Sequence, residues 1–293
     1  MKKSYRFVIL ACVAVMLTSC VGKLGTDKIA VDIRFRPVIG YDTRADESVP
    51  FPEDRSFVLW AQEPQLGQMY IDSETISYDG IWKSAKTWPE HLIEFQACWP
   101  LDLPISYSKT KGLQISEFDC SEGDVDILIA KADSKSQIDG CVVLPFNHAL
   151  SRIEFRLRHS LSEEMSLRVN KIVLNGYAHK GDYNTRVSNA WKGNDYSASR
   201  VIFAAPENHP VQVPCGETIY LGSDFFAIPQ VSMPTLELFY EVRFAEANWI
   251  PQVSRIESME VFWEPEKHYT YTLNLGMEKL VYTTGISSWN NRE

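Results

Sequence analysis

Along most of this 293-residue chain, apolar and polar side chains alternate one for one, and no stretch sustains a long helical period. Val31, Ile33 and Phe35 alternate with Asp32, Arg34 and Arg36, which is the pattern of a strand with one buried face. Pro37 and Gly40 mark where its regular pairing should stop. Ser56–Trp60 reads as a short apolar strand, and Ile93, Phe95, Ala97 and Trp99 share one face of the next run. Val125–Ala130 is short and apolar enough for a buried strand. In Phe146–Arg158, Ile153, Phe155 and Leu157 face inward, while Arg152, Glu154, Arg156 and Arg158 face outward. Leu236, Leu238, Tyr240, Val242 and Phe244 repeat the pattern, as do Tyr269, Tyr271, Leu273 and Leu275. Turn-rich stretches separate these runs, so the expected fold is all-β and of sandwich type.

The first residues bear on the compartment. Lys2, Lys3 and Arg6 precede an apolar run, Phe7–Met16, of signal-peptide length and too short to span a bilayer as a permanent helix. Leu17-Thr18-Ser19-Cys20 then fits a bacterial lipoprotein signal, with residues 1–19 removed and Cys20 acylated. Acyl chains contribute about 0.8 kcal/mol per buried CH₂, so several together anchor stably. The expected location is the outer membrane, surface-exposed. The signal takes Lys2, Lys3 and Arg6 with it, moving the net charge from −9 to −12. With no basic cluster anywhere, that balance argues against nucleic acid. Of six cysteines, Cys98, Cys120, Cys141 and Cys215 remain after Cys12 and Cys20 are accounted for. Their spacing selects no disulfide pairing and matches no metal site, and no cofactor is expected.

The polar stretch Ser134–Gly140 between two apolar runs is the best candidate boundary. It divides the mature chain into an N-terminal sandwich, 20–138, and a C-terminal one, 139–293. Thr43-Arg44-Ala45 lies in a polar segment beyond the first strand, where a trypsin-like protease would find it. At the other end, Lys279–Trp289 sets Leu280, Tyr282, Thr284 and Ile286 on one parity and Val281, Thr283 and Gly285 on the other. This stretch reads equally as a donor strand or as the last strand of its own domain.

Catalytic signatures are missing: there is no G-x-S-x-G, H-E-x-x-H, C-x-x-C or Gly-rich phosphate loop. Glu163-Glu164 and Asp124/Asp126 could be offered as a carboxylate pair for glycoside chemistry, but adjacent loop acids are usually solvated surface. His148, between Phe146 and Leu150, reads as a structural histidine. A non-enzyme is expected. Two polar segments carry aromatic residues that would suit a glycan or other ligand, one with Tyr183, Trp191 and Tyr196, the other bracketed by Trp82 and Trp88. The same rings would also cover the ends of a sandwich, and that is the preferred reading.

Taken in order, several motifs carry a family resemblance. They are the lipoprotein signal, Thr43-Arg44-Ala45, Trp99-Pro100, Asp126-Ile127-Leu128-Ile129-Ala130 and Phe146-Asn147-His148-Ala149-Leu150-Ser151-Arg152-Ile153. Ala227-Ile228-Pro229-Gln230 and Trp263 with Tyr269-Thr270-Tyr271-Thr272-Leu273 complete the series. In this the chain resembles the fimbrillins, lipoprotein subunits and accessory proteins of type V pili in Bacteroidetes. The resemblance implies two tandem transthyretin-like β-sandwich domains and export as a lipoprotein through Cys20. In stalk subunits it further implies removal of the first strand by an arginine-specific protease, here after Arg44 and before Ala45. The vacated groove would accept a strand from the next pilus subunit, with the C-terminal region as donor. Partners would then be other subunits, the outer membrane through the lipid, and a host protein or glycan in adhesion. A surface glycan- or ligand-binding lipoprotein that does not polymerise is the alternative.

Overall fold

A computed structural model describes residues 30–40, 48–122, 124–207 and 209–289, in which the alternation becomes twenty-four strands and one turn of 3-10 helix. The first ten strands are β1 (Asp32–Ile39), β2 (Val49–Pro50), β3 (Phe57–Glu63), β4 (Gln68–Ile76), β5 (Trp82–Thr87), β6 (Ile93–Trp99), β7 (Ile105–Ser108), β8 (Gly112–Asp119), β9 (Leu128–Lys135) and β10 (Cys141–His148). Eight of them build one sheet in the order β2-β1-β10-β9-β6-β3-β4, with β5 sharing the edge of β1 with β2. Only the β1–β10 pair in this sheet is parallel.

This sheet is covered on both faces. Ile33, Phe35, Phe57, Leu59, Phe95, Ala97, Leu144 and Phe146 form the core on one side, whereas Val58, Trp60 and Cys98 belong to a second core on the other. That explains why every residue of β3 is buried and why β3 reads as an apolar run rather than a clean alternation. The sheet nearly returns on itself, since Tyr70 of β4 donates to Thr87 O at 2.5 Å and Glu74 accepts from Ser84 Oγ and Ala85 N of β5, each at 2.6 Å. Side chains, not a backbone ladder, close that seam.

The remaining strands are β11 (Ser151–His159), β12 (Met165–Asn175), β13 (Lys180–Asn184), β14 (Trp191–Asp195), β15 (Ser199–Ala204), β16 (Val211–Val213), β17 (Thr218–Tyr220), β18 (Phe225–Ala227), β19 (Gln230–Ser232), β20 (Thr235–Phe244), β21 (Ile250–Ile256), β22 (Val261–Trp263), β23 (Lys267–Leu275) and β24 (Leu280–Ser288). One sheet runs β17-β11-β23-β24 and another β15-β12-β20-β21, with β18 and β16 flanking β11 and β12 and a β19–β22 ribbon beside them. Ile153, Phe155, Leu167, Val169, Leu236, Leu238, Tyr269 and Tyr271 join these sheets in a third core. Here too the first strand of the half, β11, lies parallel to a strand near its end, β23.

Two expectations are revised. The polar stretch Ser134–Gly140, where a boundary at 138/139 was expected, is the loop of a hairpin. Ser136 N donates to Asp139 Oδ2 at 2.7 Å across the helical turn, and Gly140 reverses the chain at φ +68°. β10 then runs back along β9, with Phe146 opposite Ala130, so residues 141–148 pair in the first sheet. The chain leaves that sheet at Ala149–Leu150, which also divides the expected Phe146–Arg158 run into two strands. The stretch is polar because it is an exposed loop, not because it links domains.

The second revision concerns residues 180–195. Most of the polar, aromatic-bearing segment 181–199 falls here, and instead of a ligand platform these residues form the β13–β14 hairpin, with β13 paired to β8 from the first half, Gly181 opposite Phe118. The resulting sheet, β14-β13-β8-β7, supplies Leu113, Ile115, Phe118 and Trp191 to the second core. Gly181 is required there, because a Cβ would lie 2.7 Å from Lys192 O.

Candidate assembly site around the first and last strands

β1 is the strand nearest the N-terminus in the described chain, and it lies inside the sheet rather than at its rim. On one side Arg34 to Ile39 run parallel to Cys141 to Phe146. On the other, Phe35 faces Trp82 of β5, and Val38 and Ile39 face Pro50 and Val49 of β2. Trp88 N donates to Val31 O at 2.9 Å, Phe51 N to Pro37 O at 3.2 Å and Gly40 N to Phe146 O at 3.0 Å, pinning both ends. Ile33, Phe35 and Ile39 point into the core, where Phe35 meets Phe95 edge-on with centroids 5.5 Å apart. Asp32, Arg34 and Arg36 face solvent, as the alternation demands. Each buried side chain of this size contributes about 1.5–3 kcal/mol by burial. Removing β1 would uncover three apolar pockets and unpaired backbone on β10, β5 and β2 together. Arg44 and Ala45, expected as the processing site, and Cys20, expected to bear the lipid, lie outside the described residues.

The last strand is held differently. Among the described residues β24 pairs only with β23, from Lys267 opposite Ser288 to Leu275 opposite Leu280. Leu280 is buried, but Ile286 is 62 % exposed and Thr283 to Ser288 all stand in solvent. It carries no charge and no proline, the usual guards of an exposed edge. Trp289 behind it is buried again, stacked on His148 and Phe226.

The aromatic residues expected to offer a ligand platform divide. Trp191 is only 7 % exposed and donates its indole N–H to Ala149 O at 2.7 Å, with Phe118 and Tyr183 tilted against it. Burial pushes the Tyr183 hydroxyl well above the usual tyrosine range. Trp82 opens β5, Trp88 follows it, and both pack into the first core. Tyr196, 48 % exposed, is the ring of the five that stands in solvent. It borders a cavity of about 620 Å³ lined also by Trp191, Lys192, Gln230 and Glu264.

The titratable clusters are internally paired. Glu154, Asp224 and His268 come close enough for a cation site, yet Arg156 binds Glu154, and Asp224 accepts from Arg152 Nε and Tyr220 Oη, both at 2.5 Å. Two guanidiniums therefore already neutralise both carboxylates. These contacts also cover Glu154, which lies on the outward face as expected but is nearly buried. Asp126 holds His148 Nδ1 at 2.8 Å, and Glu163 and Glu164 are exposed. All four described cysteines are free thiols. Burial raises Cys98, and raises Cys120 to about 11, so neither is a thiolate at neutral pH.

A family model described as fimbrillin-like matches residues 43–289. No curated protein matches the chain. Among solved structures, the chain is similar to a fimbrial protein from Bacteroides vulgatus, with TM-score 0.61 and 12% identity over 87% of this chain and 99% of that one. It is similar also to a cell-adhesion candidate from Parabacteroides distasonis, with TM-score 0.63 and 9% identity over 90% of this chain and 98% of that one. A second such candidate, from Bacteroides ovatus, gives TM-score 0.53 and 15% identity over 90% and 99%.

Proposed function

Because the chain belongs to the fimbrillin-like family, we propose that it is a cell-surface pilus subunit or accessory adhesin assembled by strand exchange, with no catalytic role. Cys20 carries the lipid that holds it on the outer membrane. Cleavage between Arg44 and Ala45 releases β1, and the open groove takes a strand from another subunit. The chain is organised as two β-sandwich domains divided near Ala149–Leu150 and tied together by the 180–195 hairpin.

One observation carries this proposal: the last strand repeats the side-chain pattern of the first. β1 buries an aliphatic, an aromatic and an aliphatic residue at Ile33, Phe35 and Ile39; β24 offers Leu280, Tyr282 and Ile286 at the same spacing, in the same chain direction. Pro37 then corresponds to Thr284. At home, β24 leaves Ile286 in water, so the strand has more apolar surface to bury in a β1-shaped groove than it buries now. Leaving such a groove open invites aggregation, which is why β1 is expected to stay until assembly.

The test is limited digestion of the full-length protein with an arginine-specific protease. One early cut at Arg44–Ala45 is expected, followed by concentration-dependent oligomers or uptake of a synthetic peptide spanning 280–289. Resistance at Arg44, or a cut product that stays monomeric and takes up no peptide, defeats the strand-exchange proposal. Cys20→Ser should abolish incorporation of a clickable fatty acid in cells, and the N-terminal residue of the surface protein distinguishes an anchor (lipidated Cys20) from a processed subunit (Ala45).

The cavity at Tyr196 supports a second role, binding of a glycan or other surface ligand by an unpolymerised lipoprotein. Glycan-array binding lost on Tyr196→Ala, with no polymer after cleavage, would favour it.

A further inference from the structure

Just past the last strand, Trp289 reaches the end of β10, the strand beside the first one. The indole of Trp289 lies 3.6 Å from the His148 ring, centroid to centroid and 10° from parallel, and 5.0 Å from Phe226 at 22°. His148 is the final residue of β10, is 4 % exposed, and is paired to Asp126. Main-chain bonds run in the same direction: Trp289 N donates to Glu266 O at 2.9 Å, and Glu266 N donates to Leu150 O at 3.2 Å. Glu266 sits at φ +63° to make both. Two residues before His148, Phe146 pairs with Ile39 of β1 and accepts from Gly40 N. The far edge of β10 is thus the wall of the first-strand groove.

Between Leu280 and Trp289 the last strand buries only part of Tyr282, which packs beside Tyr271 and accepts from Glu260 N at 3.0 Å, so its retention depends on the β23 ladder, on that ring and on these two ends. Removing the indole uncovers one face of a buried imidazole and withdraws an aromatic stack, an arrangement favourable beyond its area.

We infer that Trp289 is a latch coupling the two ends of the chain: its stacking on His148 and Phe226 retains the last strand and at the same time steadies the end of β10 that borders the first-strand groove. Coupling of this kind is reciprocal, so loosening β10 also loosens the last strand. The consequence for assembly rests on the strand-exchange proposal. A subunit whose last strand has gone to a neighbour has a less rigid groove wall, so giving a strand eases taking one.

Hydrogen exchange followed by mass spectrometry, on the full-length uncleaved protein, tests the latch without cleavage or polymer. In Trp289→Ala, amides of β24 should exchange at least tenfold faster than in the parent. Those of Phe146–His148 and Ile39–Gly40 should exchange at least threefold faster, with β12 and β20 unchanged. His148→Ala, altering the other side of the stack, should accelerate β24 as well, and Trp289→Phe should retain most of the protection. Acceleration confined to β24, equal acceleration in β12 and β20, or no acceleration would each overturn the coupling. Because cleavage and peptide uptake are scored separately, failure of the latch and failure of strand exchange give different results.

Discussion

Truncating Phe155 to alanine should cost far more than truncating its neighbour Arg156, and the difference measures the register of β11. Phe155 is buried in the third core, with Tyr271 stacked 5.3 Å away and Phe225 at 6.5 Å. An aromatic ring covers about 150–250 Å². At about 25 cal/mol per Å², less what alanine still covers, its loss amounts to about 3 kcal/mol. The lost stack adds about 0.5–1.5 kcal/mol, giving about 3–5 kcal/mol, the range for large aromatic truncations in packed interiors. Arg156 faces outward, with a side chain 47% exposed, but it binds the nearly buried Glu154. Removing it takes a guanidinium from a nearly buried carboxylate that also has His268 3.2 Å away. After discounting for its exposure, Arg156→Ala should cost about 1 kcal/mol, more than a free surface arginine would. Urea unfolding followed by tryptophan fluorescence is suitable, since Trp263 lies in the same core with its N–H donated to Tyr271 Oη at 2.9 Å. Equal small losses at both positions would show that β11 is assigned to the wrong face. A loss below about 0.3 kcal/mol for Arg156→Ala would refute the pairing with Glu154.

Trp191→Ala should destabilise the protein by about 3–5 kcal/mol in thermal or urea unfolding, because the ring is core rather than platform; a folded variant of parental stability would contradict this. Gly222→Ala should cost more than about 2 kcal/mol, because φ is +82° and a Cβ would come within 2.3 Å of Ile202 O; a neutral outcome would mean the β17–β18 connection differs. Burial raises the Glu266 carboxyl above the ordinary range, against the pull of His148 and Lys267. A raised folded pKa favours the native state below the ordinary glutamate pKa, and that contribution is lost as pH rises through the raised value. Glu266→Gln should therefore match the parent near pH 4 and exceed it in stability near pH 7; a variant weaker only at neutral pH would reverse the sign.

Strands were legible where one face is wet. Ile33–Phe35 and Tyr269–Leu275 show their buried residues at every second position because the alternate ones face outward. Val31, expected on the buried face, is 38 % exposed just before β1, and in Ile153–Leu157 the outward Glu154 is covered by Arg156. β12 went unread: it is flanked by β15, β16 and β20, and a register shift between Val169 and Lys171 interrupts its alternation. The β13–β14 hairpin was hidden for a different reason. Its glycines and acids look like loop locally, and only a partner more than sixty residues earlier makes it a strand. Nor does composition separate a hairpin loop from a linker, so Ser134–Gly140 was misplaced by the very polarity that suits it to a turn. Of the candidate site, the pattern of β1 was plain in the residues. The burial of Trp191 and the stacking of Trp289 on His148 were not, since both depend on segments far apart in the chain being brought together by the fold.

The pairing of β8 with β13 sets an order on how this molecule can be completed. Phe118 must wait for Gly181, and Ile115 for Tyr183, so the first half cannot finish its second core when its own residues have been made. While the intervening sixty-odd residues are still emerging, β8 has only β7 beside it and an apolar face with no lid. Non-local pairing of this kind slows folding, because loop closure must precede any gain. A chain arranged so is not two beads threaded one after the other: its first half remains an unfinished, adhesive intermediate until the hairpin from its second half arrives, and whatever escorts the nascent protein must shield it for that interval.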